Sequence, residues 1–431
     1  MITKKEQIIE YFKSGIKNKK EFKIGIEHEK FLFDSQNNKR IDYQKIKKMF
    51  SSLIEFGWNP VLENNNIIGL NKGGKNITLE PGNQIELSGD KLTNIHEACA
   101  ESYDYLFELK QVTKKLNIKI VSAGFDPISK LDEIPNNPKK RYKLMTRDMP
   151  LGGELSLDMM YRTCGTQLNI DYFSEEDFKK KFKIVNSLVP ISIALFANSS
   201  IVEKKKSNYL SYRSKVWQNT SRGGLPKLFL EDFDFEKYAD FVINFPVLFI
   251  QQKENYFSGR GYNFSDFMSG NIKEINNRLP DENDLSTHLS TIFTENRLKK
   301  YIELRSMDTC GWDCLCAGPA FNVGMLYGNL DEVYELISSW DKDKIINAYL
   351  EAPQKGFNTQ LMGKDLLYWS SMLLDLSKKG LEKRDIVNKS GKNETLFLNH
   401  LQKVIDNKTT NAHHMIIKFS KDEDLTELYD K

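Results

Sequence analysis

Four short segments of this chain alternate large apolar residues with acidic or amide ones, and that two-residue period dictates strands, not helices. In Gly25-Ile26-Glu27-His28-Glu29-Lys30-Phe31 it sets Glu27 and Glu29 side by side and turns His28 to the opposite face. In Gln84-Ile85-Glu86-Leu87, Gln84 and Glu86 share a face. In Gln167-Leu168-Asn169-Ile170-Asp171, the three polar residues line up. Tyr301-Ile302-Glu303-Leu304-Arg305 pairs Glu303 with Arg305. Glu80 stands just before the Pro81-Gly82-Asn83 turn that leads into the second segment. Large apolar partners make one face of the resulting sheet core. The other face carries carboxylates, amides and a guanidinium.

Neighbouring glutamates on a strand repel one another, and each costs stability if unpaired. Any one pair is compatible with plain solvent exposure. All four segments together favour a divalent cation that neutralises Glu27, Glu29, Glu80, Glu86 and Glu303. Oxygen-only ligands select Mg²⁺ or Mn²⁺ over zinc. Magnesium held by few protein groups usually completes its shell with substrate phosphates. His28, on the other face, is read as a core or supporting histidine, not a ligand.

The elements between these strands decide the fold class. Lys4 to Ser14, Ile41 to Phe56 and Asn94 to Leu116 repeat apolar residues at helical spacing, and Ile118 to Ala123 reads as a strand. Ser174 with Glu175, Glu176 and Asp177 opens a further helix. Met160 to Tyr172 reads as a strand pair or one bent strand. Beyond Pro319 the chain reads as mostly helical, with a loop from Pro353 to Thr359 near the site. Strands and helices mix without a regular βαβ alternation, which predicts α+β with an antiparallel sheet. Neither a P-loop nor a Rossmann glycine motif occurs, so any ATP is bound by another architecture.

Charge excludes some functions. With 62 basic and 59 acidic residues the net charge is +3, and the short Lys204 to Lys206 run is no nucleic-acid patch. Met1 to Lys20 has no apolar signal-peptide core, and proline interrupts the apolar runs Leu188 to Ala197 and Phe241 to Ile250. These features predict a cytoplasmic protein that does not enter membranes. The five cysteines, Cys99, Cys164, Cys310, Cys314 and Cys316, are too few and odd in number for a secreted disulfide framework. Cys310, Cys314 and Cys316 do not match a structural zinc spacing.

Leu210-Ser211-Tyr212-Arg213-Ser214-Lys215-Val216-Trp217 alternates basic and apolar residues, and Gly223-Gly224 would present Arg222 on a mobile loop. Arginines converging on a carboxylate or phosphate would complement a cation-rich face. An ordinary charged surface loop fits these residues equally well.

At these motifs the chain resembles glutamate–cysteine ligase of the plant and proteobacterial type. The matching blocks are Ile24 to Phe31, Leu79 to Gly89, Arg162 to Asn169, Tyr301 to Arg305 and Leu315 to Phe321, in that order. The resemblance implies a glutamine-synthetase-like fold, a curved antiparallel sheet forming a funnel surrounded by helices. It implies one catalytic domain over residues 1–431, with 330–431 its mostly helical C-terminal part. It implies Mg²⁺ on the five glutamates, with Mn²⁺ as a substitute, and ATP, glutamate and cysteine as substrates.

The expected reaction joins the glutamate γ-carboxylate to the cysteine amine through γ-glutamyl phosphate. Arg305 and Arg222 would stabilise the moving charge, and Gln167, Asn169, Tyr212, Arg213 and Trp217 would bind substrate. A ligase for another amine, or an inactive homologue kept for binding or regulation, are the alternatives. Cys99 and Cys316 match one redox pair of the plant type; a disulfide switch and two buried free thiols both remain open. The family's other pair has no counterpart, since Tyr256 to Pro280 contains no cysteine. Its absence points toward a monomer.

Overall fold

The computed structural model of the protein describes residues 1–419 and 424–429. Its centre is a nine-stranded sheet. The strands are β1 (Ile24–Asp34), β2 (Asn59–Glu63), β3 (Asn66–Lys72), β4 (Lys75–Leu79), β5 (Ile85–Ser88), β6 (Ile118–Val121), β7 (Gly165–Ile170), β8 (Asn296–Leu298) and β9 (Ile302–Asp308). They lie in the order β8-β9-β7-β1-β5-β4-β3-β2, with β6 on the far half of β1. Every pairing is antiparallel. Sheet and helices together make the α+β architecture that the patterning predicts.

Alternation along β1 explains its place at the hub. From Ile24 to Lys30 every second residue is buried and the residues between are half-buried. The apolar faces of β1, β4 and β5 pack on the helices Tyr43–Ile54 and Ile95–Lys115, through Leu53, Tyr105 and Leu109. Those of β7 and β9 pack on Glu175–Ser187, Val189–Leu195 and Ala317–Val323. Asn94 and Ser174 cap their helices by accepting the backbone N–H of Glu97 and Asp177. With helices on one side, the polar side of the sheet is left to face a cleft.

Several segments depart from expectation. Met160 is helical, in Ser156–Arg162, and only Gly165–Ile170 is strand. The Thr163 hydroxyl donates back to Met159 O (2.6 Å), a local bond that competes with continued helix. Tyr212–Gln218 is also a helix, capped by Ser211, whose hydroxyl donates to Asp308 (2.9 Å). Pro353 sits inside the helix Lys342–Lys355, and its carbonyl accepts the N–H groups of Leu210 and Ser211. That segment braces the Ser211 turn and no residue of it lines the cleft. Residues 330–419 are helical apart from turns and one small hairpin, Gln360–Leu361 with Lys364–Asp365. Cys310 and Cys314 form a disulfide that the spacing did not suggest.

Candidate active site

Register gathers the polar residues. Across β1 and β5, Glu29 stands opposite Glu86. Across β1 and β7, Glu27 stands opposite Gln167. Asn169 of β7 faces Glu303 of β9, which faces Arg297 of β8. Directly opposed residues share a sheet face, so one surface carries all of them. Glu80 joins from the turn after β4, where its carbonyl accepts the N–H of Asn83. Asn83 adopts a left-handed backbone (φ 62°), a conformation that asparagine tolerates better than most side chains. Between β7 and β9 the register shifts at Leu304 to Met307, and this irregularity aims Arg305.

The cleft encloses about 340 Å³ and is lined by Glu27, Glu29, Glu80, Glu86, Gln167, Arg213, Trp217, Arg297 and Arg305, among others. Its two walls differ in charge. On the carboxylate wall, burial raises Glu29 to about 7, with the Glu80 charge adding to it. Burial likewise pushes Glu86 far up, helped by Glu27, Glu80 and Glu29. Burial and the Glu303 charge raise Glu27. Partial compensation comes from Asn169 Nδ2 donating to Glu27 (2.6 Å), Gly165 N–H to Glu29 (2.5 Å) and Ser88 Oγ to Glu86 (2.9 Å). Among the described residues no group of three His, Cys, Asp or Glu side chains forms a ready cation cage.

The opposite wall is cationic and has donors to spare. Arg213 Nη2 donates to Arg305 O (2.8 Å), while its Nε and Nη1 are buried without a hydrogen-bond acceptor, Nη1 lying 4.0 Å from the Asp308 carboxylate. Arg305 Nη1 donates to Gln167 and to Glu303 (3.2 Å), and its Nε is unpartnered. Trp217 packs against both guanidiniums, 5.3 Å from Arg213 and 5.4 Å from Arg305, and its indole N–H is unpartnered. Buried donors without acceptors are rare and costly. Their convergence marks a place for an anion.

Glu303 differs from the other glutamates. Burial pushes its carboxyl up, but Arg297, Lys299 and Arg305 outweigh that and hold it far below the carboxylate range. Arg297 grips it with two nitrogens, and Lys299 lies 3.5 Å away. The structure thus supplies Glu303 with cationic side chains where a metal was expected. Arg297 and Lys299 were not singled out from the sequence, although they stand two residues apart, on and just after β8, immediately before Glu303. Arg141, Tyr142 and Gln251 also line the cleft, with no signal beyond ordinary helix and strand patterning.

Of the expected residues, Asn169 and Glu303 stand on the polar sheet face just behind the lining, and Arg222 and Tyr212 lie elsewhere. Arg222 is buried, with Nε on Thr291 O (2.9 Å), Nη1 on Pro246 O (2.8 Å) and Nη2 on Thr291 Oγ1 (3.1 Å). It braces Thr291, which lines the cleft, and is not on a mobile loop. Tyr212 packs on Phe125 and Tyr209, away from the cleft. Successive residues on a helix point about 100° apart, so Tyr212 cannot share the face of Arg213 and Trp217. The thiols of Cys99 and Cys316 are free and adjacent, Cys99 raising the Cys316 thiol together with burial.

Clustered carboxylates facing arginines with unfilled donors suit an enzyme that holds a cation and an anionic substrate together. The fold has solved counterparts. A glutamate–cysteine ligase from Francisella tularensis in complex with AMP superposes with a TM-score of 0.54, at 13% identity over 96% of this chain and 88% of that one. A bifunctional glutathione synthetase from Pasteurella multocida gives 0.52, at 14% identity over 98% of this chain and 52% of that one. The chain belongs to the Glutamate-cysteine ligase family 2 (GCS2), which it matches over residues 23–431. The chloroplastic glutamate–cysteine ligase of Nicotiana tabacum is 40% identical over 96% of this chain and 79% of its own length. Glutamate–cysteine ligase B of Oryza sativa subsp. japonica is 39% identical over 96% and 83%. Both names are chloroplastic and lend no support to the cytoplasmic expectation. Among the described residues no helix is long and apolar enough to cross a membrane.

Proposed function

We infer that the chain is an ATP-dependent glutamate–cysteine ligase that makes γ-glutamylcysteine, the first step of glutathione synthesis, and does so as a single catalytic domain, with a monomer slightly favoured over a dimer. The observation that carries the reading is the two-walled cleft: four mutually repelling carboxylates opposite arginine and indole donors with nothing to bind. The donor set fits a hard divalent cation. Glu27, Glu29, Glu80 and Glu86 offer only oxygen, among the described residues no histidine or cysteine lines the cleft, and burial together with neighbouring carboxylates raises the proton affinity of Glu27, Glu29 and Glu86. Magnesium bound there, or manganese in its place, would neutralise the phosphates of ATP.

The chain's own residues supply the rest. Arg305 and Arg213 direct donors at the anionic group that moves from ATP to the glutamate γ-carboxylate. Trp217 fixes both guanidiniums and excludes water beneath them. Gln167 and Asn169 hold Arg305 and Glu27 in orientation, and Arg297 keeps Glu303 ionised beside Arg305. Cysteine's amine then attacks the acyl phosphate and inorganic phosphate leaves. The C–N bond forms as the acyl C–O bond breaks, and the proton lost from nitrogen passes to the departing phosphate or to water; positioning and charge neutralisation carry the rate.

ADP release with glutamate, ATP and Mg²⁺ tests this reading. Release should depend on cysteine and yield γ-glutamylcysteine. Preference for another amine would assign the chain to a sister ligase, and absence of turnover with every amine would overturn the enzymatic reading.

A further inference from the structure

A second cavity, of about 570 Å³, lies against the helix Ile95–Lys115 and the turn that follows β9. It is on the opposite side of β1 from the cleft: Lys30 lines it, whereas its neighbour Glu29 lines the cleft. Tyr103, Phe107, Lys110 and Lys114 recur at helical spacing and put their side chains on one stripe. The opposite stripe, with Tyr105, Leu109 and Val112, is core.

A solvent stripe of this kind is normally charged throughout. Here Tyr103 and Phe107 are each 55% exposed, with rings nearly parallel (17°) and centroids 6.3 Å apart. Trp312 meets Tyr103 edge-on at 5.6 Å. The Cys310–Cys314 disulfide closes a short ring around Trp312 and so holds this third wall in place.

The charge of the cavity is one-sided. Lys30 is only 2% exposed and donates to Thr309 Oγ1 (3.3 Å) and Cys310 O. Among the described residues neither Lys30, Lys110 nor Lys114 has a carboxylate within 4 Å, and Asp313 is the single acid on the lining.

We propose that this cavity binds a planar aromatic anion, a bicyclic or larger ring bearing a carboxylate or sulfonate. The ring packs over the contiguous surface that Tyr103, Phe107 and Trp312 form. The acid lies toward Lys30, Lys110 and Lys114. The volume falls within the usual range for small-molecule sites.

The full-length protein is titrated with 8-anilino-1-naphthalenesulfonate and, separately, with the uncharged N-phenyl-1-naphthylamine. The sulfonate should bind with one-to-one stoichiometry, and saturating ATP plus glutamate should not displace it. Lys110→Glu with Lys114→Glu should weaken the sulfonate about tenfold and leave the uncharged probe unchanged. Both lysines are exposed, so this variant should keep its melting temperature. Trp312→Ala should weaken both probes.

Equal binding of the two probes, insensitivity to the charge reversals, or displacement by substrates would overturn the proposal. So would a dimer, seen by sedimentation, that the charge reversals dissociate, because this face would then belong to a second copy.

Discussion

Arg305 on β9 and Arg222 in the loop after Tyr212–Gln218 are both nearly inaccessible, at 9% and 7% exposure, yet they sit in opposite kinds of surroundings. Around Arg222 each nitrogen has a fixed acceptor, two of them carbonyl oxygens of the main chain. Around Arg305 one nitrogen serves Gln167 and Glu303, Nε is unpartnered, and the carboxylates of Glu27 and Glu29 lie near enough to act on its charge. A guanidinium held at every nitrogen is a brace. One with donors left over is a receptor for an anion. Burial alone does not distinguish the two; the inventory of partners does.

Arg305→Ala gives the largest expected effect. It should lower kcat/KM by about a thousandfold or more, since it removes a donor aimed at developing charge. Its unfolding midpoint should stay near that of the parent, because Arg297 still neutralises Glu303. A variant with parental turnover in the ADP-release assay would remove Arg305 from the chemistry and collapse the contrast with Arg222.

Arg222→Ala should behave in the reverse way. Losing the brace leaves buried carbonyls unsatisfied and should cost about 3 kcal/mol of stability in urea unfolding. Turnover per folded molecule should stay within about threefold of the parent. A fully stable but inactive Arg222→Ala would return this residue to the cleft.

A third test concerns the carboxylate wall. Glu29 has a folded-state pKa of about 7, above its ordinary value of 4.5. The folded protein therefore binds the extra proton between those values, and stability present below pH 4.5 is lost as pH rises through 7. Measured without metal, the urea midpoint should fall across that window. Glu29→Gln should flatten part of the fall, and added Mg²⁺ should raise the midpoint at pH 8 in the parent more than in the variant. A parental midpoint unaffected by Mg²⁺ would argue against a cation on this wall.

The smallest effect is expected at Tyr212. Its ring packs on Phe125 and Tyr209, so Tyr212→Phe should change KM for either amino acid by no more than about twofold. A larger change would mean that the helix turns this side chain toward the cleft during the reaction.

The acidic sheet face could be read in the residues because strand geometry is local. Whatever partners β1 takes, Glu27 and Glu29 point one way and His28 and Lys30 the other. The same reasoning did not help at Tyr212, where basic and apolar residues alternate but the chain forms a capped helix. Over seven residues the two periods are hard to separate. Arg297 went unnoticed for another reason: its meaning lies in its bidentate grip on Glu303, and that depends on β8 folding back antiparallel to β9.

The chain's alternation therefore determined by itself which side chains share a face, and its polar inventory determined that this face carries carboxylates and a guanidinium together. Tertiary structure decided which of those groups are already satisfied. Arg222 meets Thr291, 69 residues along the chain, and Arg305 meets Gln167, 138 residues back. Such long-range partners leave no trace in local periodicity, because side-chain direction is set by the nearest few dihedrals and hydrogen-bond satisfaction by the whole packed molecule.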